Sequence, residues 1–307
     1  MTAEAELWRA TVRTRGPGMP DVLERFEEDA LSVSVFEIED EATAEASGWQ
    51  IDLFYREPPE AEKLADELRL ACEAAGVTLD GVTVERVPAT DWVGATKLKL
   101  PPIEAGRFVV HGSHARDALP AGLVGIEIDA GLAFGSGEHA TTHSCLVAID
   151  RLARKRRFHR VLDVGCGSGV LAIAAAKCWP AEVIALDNDP IAVRVAAENV
   201  RINGVADRMR VIVAEGYRHP LVRRRAPFDL ILANILADPL IELAPALRRH
   251  LAPGGHAVLS GLLDRQAGAV IAAHCRQGLH LLERIDRGPW TALVLAAPRA
   301  HRKHARR

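Results

Sequence analysis

Hydrophobic and polar residues follow two different rhythms along the chain. In roughly the first ninety residues, isolated strand patterns of period two, as at residues 8–14, are interspersed with helical patterns of three- and four-residue steps, as at residues 59–75. From Arg160 onward, apolar strand patterns and amphipathic helical patterns succeed one another regularly. Such strand-helix repetition is typical of a mostly parallel sheet covered by helices on both faces. The sequence therefore predicts two domains of different architecture.

The first rhythm predicts a small α+β domain. Its elements follow the order β-α-β-β-α-β, which is that of a ferredoxin-like unit. We expect this domain to span residues 1–94 and a linker containing the Pro101-Pro102 pair to span residues 95–106. The predicted strands are residues 8–14, 33–38, 50–55 and 82–87, and the predicted helices are residues 20–30 and 59–75.

The second rhythm predicts an α/β domain over residues 107–298. Its last two strands have no helix between them, so we expect an antiparallel hairpin at one edge of the sheet. The basic tail, residues 299–307, has almost no apolar content and is predicted to be disordered. The predicted strands are residues 107–111, 124–129, 160–164, 182–186, 208–213, 229–233, 256–260, 279–285 and 290–295, and the predicted helices are residues 169–178, 190–203, 239–251 and 264–277.

Composition and charge narrow the class of protein. The 307 residues are 49% apolar, which excludes a disordered chain, and the net charge of −3 hides an uneven distribution. Residues 1–100 carry 10 Lys and Arg against 22 Asp and Glu, whereas the remainder carries 28 against 19. No run reaches the roughly 18 apolar residues of a membrane span. The acidic start lacks a signal-peptide pattern and the five cysteines are scattered, so we expect a cytoplasmic protein with reduced thiols.

Glycines at alternate positions mark the first candidate site. Residues 161–171 read Val-Leu-Asp-Val-Gly-Cys-Gly-Ser-Gly-Val-Leu, a buried strand followed by a turn and a helix. Glycine allows a sharp turn and a close approach of ligand to backbone, and the start of a helix favours an anion. A dinucleotide fingerprint has its third glycine one position later. The form D-x-G-x-G-x-G, beginning at Asp163, resembles that of S-adenosylmethionine-dependent methyltransferases.

Two further polar residues end neighbouring strand patterns. Asp187 lies 22 residues after Gly165, and Asn234 ends a later strand. Parallel strands place their carboxyl ends at one edge of the sheet, where ligands bind. A carboxylate there can accept both hydroxyls of an adenosine ribose. The competing interpretation, that Asp187 only caps the next helix, is weakened by Asp189, which is better placed for capping. Asn at a strand end is also a common turn residue.

Three segments together resemble the PrmA methyltransferases, which modify ribosomal protein L11 of the large subunit. They are Gly-Leu-Ala-Phe-Gly-Ser-Gly-Glu-His-Ala-Thr-Thr at residues 131–142, the glycine turn with its helix, and Ala-Asn-Ile-Leu-Ala-Asp-Pro-Leu at residues 233–240. The resemblance covers residues from about 92 to 295. It departs from the usual family pattern at Ser136, where the family has Thr, and at Ala130, where many relatives have Pro. The resemblance implies a Rossmann-like class I methyltransferase sheet preceded by the ferredoxin-like domain.

The resemblance also implies a set of site residues. Carried over by position, Thr142, Gly165, Gly167, Asp187 and Asn234 would contact the cofactor S-adenosyl-L-methionine. Asn234 would in addition be the catalytic residue that orients the target nitrogen, and no metal is expected. The implied substrate is L11, methylated on lysine side chains and on its N-terminal amine before it joins the ribosome. An acidic first domain suits such a basic protein, and we expect neither direct nucleic-acid binding nor a membrane partner.

Several alternatives stay open at this point. His139 and His143 could lie on one helical face, but the Glu precedes the first His, unlike the H-E-x-x-H of zinc proteases. His139 is also a candidate general base, and Phe134 is a candidate for excluding water from the site. The basic segments 151–160 and 223–225 are interpreted as solvated faces. The other functions considered are methylation of a different protein or of a nucleic acid, a nicotinamide-dependent oxidoreductase, and a non-catalytic RNA-binding module.

Overall fold

The chain divides into two compact units, Met1–Thr96 and Lys97–Arg307. The computed structural model describes residues 7–15, 30, 32–39, 46–55, 57–87, 102–120, 122–128 and 140–299. Several sequence predictions lie outside these residues: the helix at 20–30, the glycine-rich segment 131–139 with Phe134 and His139, most of the linker, and the tail beyond Arg299.

The described part of the first unit is an antiparallel sheet with a helix on it. The strands lie in the order β2-β3-β1-β4, so β1 is central and every neighbouring pair is antiparallel. Leu64 and Leu68 of the helix pack with Ile51 of the sheet in one apolar cluster. The helix is followed by Gly76 in the left-handed region, where a glycine commonly ends a helix. The elements are β1 (Leu7–Arg15), β2 (Ser32–Glu39), β3 (Ala46–Tyr55), α1 (Ala61–Ala75) and β4 (Thr78–Val87).

The second unit is built on a mostly parallel sheet. Seven described strands lie in the order β10-β9-β8-β11-β12-β14-β13, and among them only β14 runs opposite to the rest. It pairs antiparallel with both β12 and β13, and with β13 it forms the predicted hairpin at the edge of the sheet. The strands are β5 (Ile103–Ala105), β6 (Phe108–His111), β7 (Val124–Glu127), β8 (Arg160–Val164), β9 (Glu182–Asp187), β10 (Met209–Val213), β11 (Phe228–Asn234), β12 (Leu251–Leu263), β13 (His280–Arg287) and β14 (Trp290–Ala296). The helices are α2 (Ala140–Ala153), α3 (Val170–Cys178), α4 (Pro190–Ile202), α5 (Pro220–Arg225), α6 (Ala237–His250) and α7 (Asp264–Arg276).

Four elements of this unit were not predicted from sequence: β5, α2, α5 and the 3₁₀ helix Ser113–Ala118. Strand β5 falls inside the segment 95–106 that was expected to be linker, because it pairs antiparallel with β6, which in turn pairs parallel with β7. Helices α2 and α5 were not assigned from sequence. Nine of the fourteen residues of α2 are buried, so it lacks the polar face that makes a helical period visible, and α5 is only six residues long.

The core of the second unit lies in two layers, one on each face of the sheet. Val161 and Leu230 belong to the layer under α2 and α3, whereas Leu162 and Ile231 belong to the layer under α6 and α7. Successive strand residues alternate between the layers because the side-chain period of a strand is two. This double burial fixes the register of β8, β9 and β11, so their carboxyl ends meet at one edge. Among the described residues, no helix combines the length and apolarity needed to cross a bilayer.

Candidate functional site

The glycine turn, residues 165–169, joins β8 to α3 at the carboxyl edge of the sheet. Gly165, Gly167 and Gly169 have φ values of 69°, 52° and 83°, a region that side-chain-bearing residues avoid. Space also requires glycine: a Cβ on Gly165 would lie 2.3 Å from Cγ2 of Ile235, and one on Gly169 would lie 3.2 Å from Cβ of Ala196. The turn is therefore held between the side chains of Ile235 and Ala196.

Asp187 lies directly beside this turn. Its Oδ2 accepts the N–H of Gly167 at 2.9 Å, and its Oδ1 accepts the N–H of Asp189 at 3.0 Å. Each carboxylate oxygen has two lone pairs, so both keep acceptor capacity for a ligand. The structure thus brings together three of the predicted cofactor contacts, Gly165, Gly167 and Asp187.

The capping role belongs to Asp189. Its Oδ1 accepts the N–H of Ile191 at 2.8 Å at the start of α4, and Pro190 follows in the first turn. The expectation that Asp189 rather than Asp187 caps this helix is confirmed. Asp187 is consequently the carboxylate that faces the turn.

Asn234 and Thr142 form a second pair at this edge of the unit. Nδ2 of Asn234, the last residue of β11, donates to Oγ1 of Thr142 in the first turn of α2, at 3.3 Å. Oδ1 of Asn234 is buried and has no hydrogen-bond partner among the described residues. An unsatisfied buried acceptor costs about 1–3 kcal/mol, so this oxygen is suited to receive a donor from a bound molecule.

Two residues next to Asn234 were missed from sequence. Ile235 packs against Gly165, and its backbone N–H donates to the carbonyl of Ser260 at 3.1 Å. Gly261 has a φ of 86°, and a Cβ there would lie 2.4 Å from the carbonyl oxygen of Ile235. The available signal was a glycine directly after the predicted strand 256–260, since glycine at a strand marks a close backbone approach. The segment after Asn234 is thus confined between two glycines.

Asp163 supports the turn from below. It is fully buried in β8, and its Oδ2 accepts the N–H of Ala172 at 3.1 Å, which caps α3 in place of the side chain that Gly169 lacks. Its Oδ1 has no hydrogen-bond partner among the described residues. Burial, reinforced by the charge of Asp187, raises the pKa of Asp163 to about 7, although the Ala172 N–H acts in the opposite direction. Sequence reasoning noted Asp163 only as the start of the glycine motif.

Several of the other charged groups singled out from sequence have structural partners. Nε2 of His143 lies 3.1 Å from Nη1 of Arg287, and desolvation followed by the charge of Arg287 lowers the pKa of this histidine. The basic segments contain three ion pairs. They join Arg151 to Glu283, Arg154 to Asp150 and Arg225 to Glu182. The described part of the chain holds no group of three or more His, Cys, Asp or Glu side chains arranged to bind a metal ion.

We predict that Gly165→Ala destabilises the protein more than Gly204→Ala. Gly204 has a matching φ of 67°, but a Cβ there has nothing within 4 Å, so this control isolates the backbone cost. The Gly165 variant must also displace Ile235, and overpacking typically costs about 1–3 kcal/mol. Chemical denaturation of both variants should show this difference in the free energy of unfolding. Equal losses would mean that the contact with Ile235 yields without cost.

A pH prediction follows from Asp163. Because its folded-state pKa is raised, the folded chain keeps a proton that the unfolded chain releases; the resulting stability is full below about pH 4 and is lost as the pH rises to 7. The control is Asp163→Asn, which keeps an acceptor for the Ala172 N–H and does not titrate. Relative to this control, the free energy of unfolding of the wild type should fall by up to about 1.4 kcal/mol per pH unit between pH 5 and 7. Urea denaturation across that range measures it, and parallel profiles for the two proteins would contradict the assignment.

Comparison with known proteins agrees with this geometry. The sequence model of PrmA, described as ribosomal protein L11 methyltransferase, matches residues 22–298. The chain is 42% identical over 294 residues to the ribosomal protein L11 methyltransferase of Brucella suis, covering 95% of this chain and 99% of that protein. It is 46% identical over 277 residues to the Bradyrhizobium diazoefficiens protein of the same name, covering 90% and 91%.

A solved structure shows the same relationship. The crystal structure of ribosomal protein L11 methylase from Lactobacillus delbrueckii subsp. bulgaricus superposes with a TM-score of 0.57 at 30% identity, over 65% of this chain and 100% of that one. These matches favour neither the oxidoreductase nor the RNA-binding alternative. The chain belongs to the PrmA family, the ribosomal protein L11 methyltransferases.

Proposed function

We propose that this protein is an S-adenosyl-L-methionine-dependent methyltransferase that methylates ribosomal protein L11. The observation that carries the proposal is the meeting of the glycine turn and Asp187 at the carboxyl edge of the sheet, in a chain matched to the family over residues 22–298. The matched relatives bear this activity in their names, and the chain covers 91–99% of their length. The residues present fit the cofactor in chemistry as well as in position.

The cofactor is held by groups of complementary chemistry. Asp187 retains acceptor capacity for the two ribose hydroxyls, and the turn at Gly165 and Gly167 leaves the room that a side chain would fill. The N-terminal end of α3 favours the carboxylate of the methionine part. Thr142 and Asn234, which are hydrogen-bonded to each other, would supply further polar contacts to it. When bound, the cofactor supplies a methyl group on a positively charged sulfur, already activated for displacement.

The remaining task is to present an amine with a free lone pair. A lysine amine has an ordinary pKa of about 10.4 and an α-amino group one of about 7.7, so both carry a proton much of the time at neutral pH. An acceptor that receives an N–H of the neutral amine fixes the direction of its lone pair. Oδ1 of Asn234, buried and unsatisfied among the described groups, is the acceptor that we assign to this role. Asn234 is therefore the proposed catalytic residue.

The substrate that we propose is L11 before its assembly into the ribosome, methylated on lysine side chains and the N-terminal amine in the cytoplasm. Residues 1–100 carry more than twice as many acidic as basic residues, which suits a basic protein and disfavours a polyphosphate backbone. We assign residues 1–94 to substrate recognition and residues 107–298 to methyl transfer. We expect the protein to bind neither nucleic acid nor a membrane. Complementary charge speeds the encounter of enzyme and substrate, and added salt weakens this electrostatic attraction.

The direct test incubates the purified protein with S-adenosylmethionine and recombinant L11 and follows L11 by mass spectrometry. We expect mass increments of whole methyl groups, located on lysine residues and the N-terminus. S-adenosylhomocysteine should bind in a titration, and NAD should not. Binding of S-adenosylhomocysteine without methylation of L11 would point to another methyl acceptor, and absence of that binding would overturn the proposal.

Asp187→Ala should weaken the binding of S-adenosylhomocysteine by about 1–3 kcal/mol, because the ribose hydroxyls lose their acceptor. Asp189→Ala is the matched control: it removes a neighbouring carboxylate and the cap of α4, which costs about 1 kcal/mol of stability, but leaves Asp187 in place. Calorimetric titration of both variants separates the two effects. Equal affinities for the two variants would remove Asp187 from the cofactor site.

Asn234→Ala should lower kcat more than it lowers cofactor affinity. Loss of an acceptor that orients the amine is expected to cost about 1.4–2.7 kcal/mol of barrier, which is tenfold to a hundredfold in rate. Thr142→Val serves as the control, since it removes the anchoring hydroxyl and leaves the amide. Single-turnover rates and S-adenosylhomocysteine affinities give the two quantities. A loss confined to affinity would reduce Asn234 to a cofactor ligand.

A further inference from the structure

One face of α4 contacts the glycine turn at two adjacent residues. Nδ2 of Asn199, which is almost fully buried, donates to the carbonyl oxygen of Ser168 at 2.9 Å. One helical turn earlier, Ala196 packs so closely on Gly169 that a Cβ on this glycine would lie 3.2 Å from its own. The helix thus holds the turn both by a hydrogen bond and by close packing.

The bond from Asn199 fixes a specific peptide group. The peptide that joins Ser168 to Gly169 has its carbonyl oxygen bound by Asn199, and its N–H donates to the carbonyl of Cys166 at 2.8 Å. With both polar ends bound, this peptide cannot rotate without losing a hydrogen bond. Its orientation sets the path of the preceding residue, Gly167, whose N–H meets Asp187.

A second asparagine on the same helix face extends the connection to β7. Oδ1 of Asn203 accepts the N–H of Glu127 at 2.9 Å, and its Nδ2 donates to the carbonyl of Glu127 at 2.7 Å and to that of Asn199 at 2.9 Å. The side-chain amide pairs with this backbone as a neighbouring strand would. The Glu127 carboxylate is itself held by two hydrogen bonds from Arg116, of 2.7 and 2.5 Å.

Helix termination alone does not account for Asn203. An asparagine that ends a helix commonly does so by adopting the left-handed conformation. Here Asn203 has a φ of −81°, and the left-handed position is occupied by Gly204 with a φ of 67°. The side chain of Asn203 is therefore available for β7, and both of its polar atoms are used there.

We propose that Asn199 and Asn203 are positioning residues for the cofactor, which act through the backbone of the glycine turn and the end of β7 rather than by contact with the ligand. This inference rests on the proposed function. Asn199 orients the turn at Ser168, and Asn203 locks Asn199 and α4 to Glu127. The same helix is capped by Asp189, two residues after the carboxylate proposed to bind the ribose. One helix therefore sets the spacing between the glycine turn, the end of β7 and Asp187.

The test compares Asn199→Asp and Asn199→Leu with the control Glu198→Gln. Both Asn199 variants remove the donor to Ser168 and keep the number and branching of the side-chain heavy atoms. Asn199→Asp is nearly isosteric but adds a charge, whereas Asn199→Leu is bulkier but neutral. Glu198 is the preceding residue of α4 and is exposed, so Glu198→Gln exchanges a carboxylate for an amide on the same helix without touching the turn. Asn203→Leu tests the second asparagine. Each full-length variant is titrated with S-adenosylhomocysteine below its thermal midpoint, and KM is measured separately for S-adenosylmethionine and for L11.

We expect the Asn199 variants to bind S-adenosylhomocysteine at least tenfold more weakly than wild type. KM for S-adenosylmethionine should rise similarly and KM for L11 should change less than twofold. Asn203→Leu should shift the same quantities by a smaller factor, and Glu198→Gln should shift neither. Variants that melt earlier but keep wild-type affinity when folded would overturn the positioning role and leave the proposed function intact. Failure of the wild type itself to bind S-adenosylhomocysteine would instead overturn the proposed function.

If Asn199→Asp does not fold, Asn199→Leu carries the same comparison. If neither variant folds, Asn203→Leu decides, because it leaves the bond between Asn199 and Ser168 in place and loosens only its support. Unchanged affinity in that variant would overturn the inference that β7 and the turn are coupled through α4.

Discussion

Close approach of backbone segments at the carboxyl edge of the sheet is the constraint on which the candidate site depends. Gly165 leaves no room for a Cβ against Ile235, and Gly261 leaves none against the carbonyl of the same residue. Because protein interiors are packed to crystal density, such contacts permit little adjustment. The glycine turn, the end of β11 and the last residues of β12 are therefore fixed relative to one another by shape. Hydrogen bonds then set the orientation of individual groups within that frame.

The polar groups of the site are not all satisfied by the protein. Oδ1 of Asn234 and Oδ1 of Asp163 are buried without partners among the described residues, whereas two other buried carboxylates of this unit, Asp150 and Glu127, are paired with arginines. Buried polar groups in folded proteins are usually hydrogen-bonded, so each exception calls for an explanation. At Asn234 the explanation that we propose is a ligand. At Asp163 burial keeps the carboxyl close to its neutral form, and the cap of α3 is retained in either state.

The fold of the second unit was largely predictable because its determinants are local. The strand patterns around β8, β9 and β11 and the cap-and-stop signals of α4 gave element type and order, and glycine spacing located the turn. Asp187 was separated from Asp189 by the logic of capping. The family resemblance, rather than any periodicity, supplied Thr142 and the role of Asn234. Helix α2 was missed because it is buried nearly all round, and β5 because three residues carry too little pattern.

The residues that escaped prediction act across long separations in sequence. Asn199 meets Ser168 from 31 positions away, and Asn203 meets Glu127 from 76. In the sequence these asparagines were part of an ordinary helix end, and nothing local distinguishes a side chain that reaches another segment from one that faces water. Gly261 carried a weak signal as a glycine directly after the predicted strand 256–260, but its partner Ile235 carried none. Such contacts emerge only when the sheet order brings the segments together.

The central claim is that the adenosyl group binds at the carboxyl edge beside Asp187. A crystal structure of the protein with S-adenosylhomocysteine tests it most directly. We expect the two ribose hydroxyls within hydrogen-bond distance of the Asp187 carboxylate, with the Gly167 N–H still on that carboxylate. Electron density for the ligand elsewhere on the protein, or a ribose that does not touch Asp187, would contradict the account.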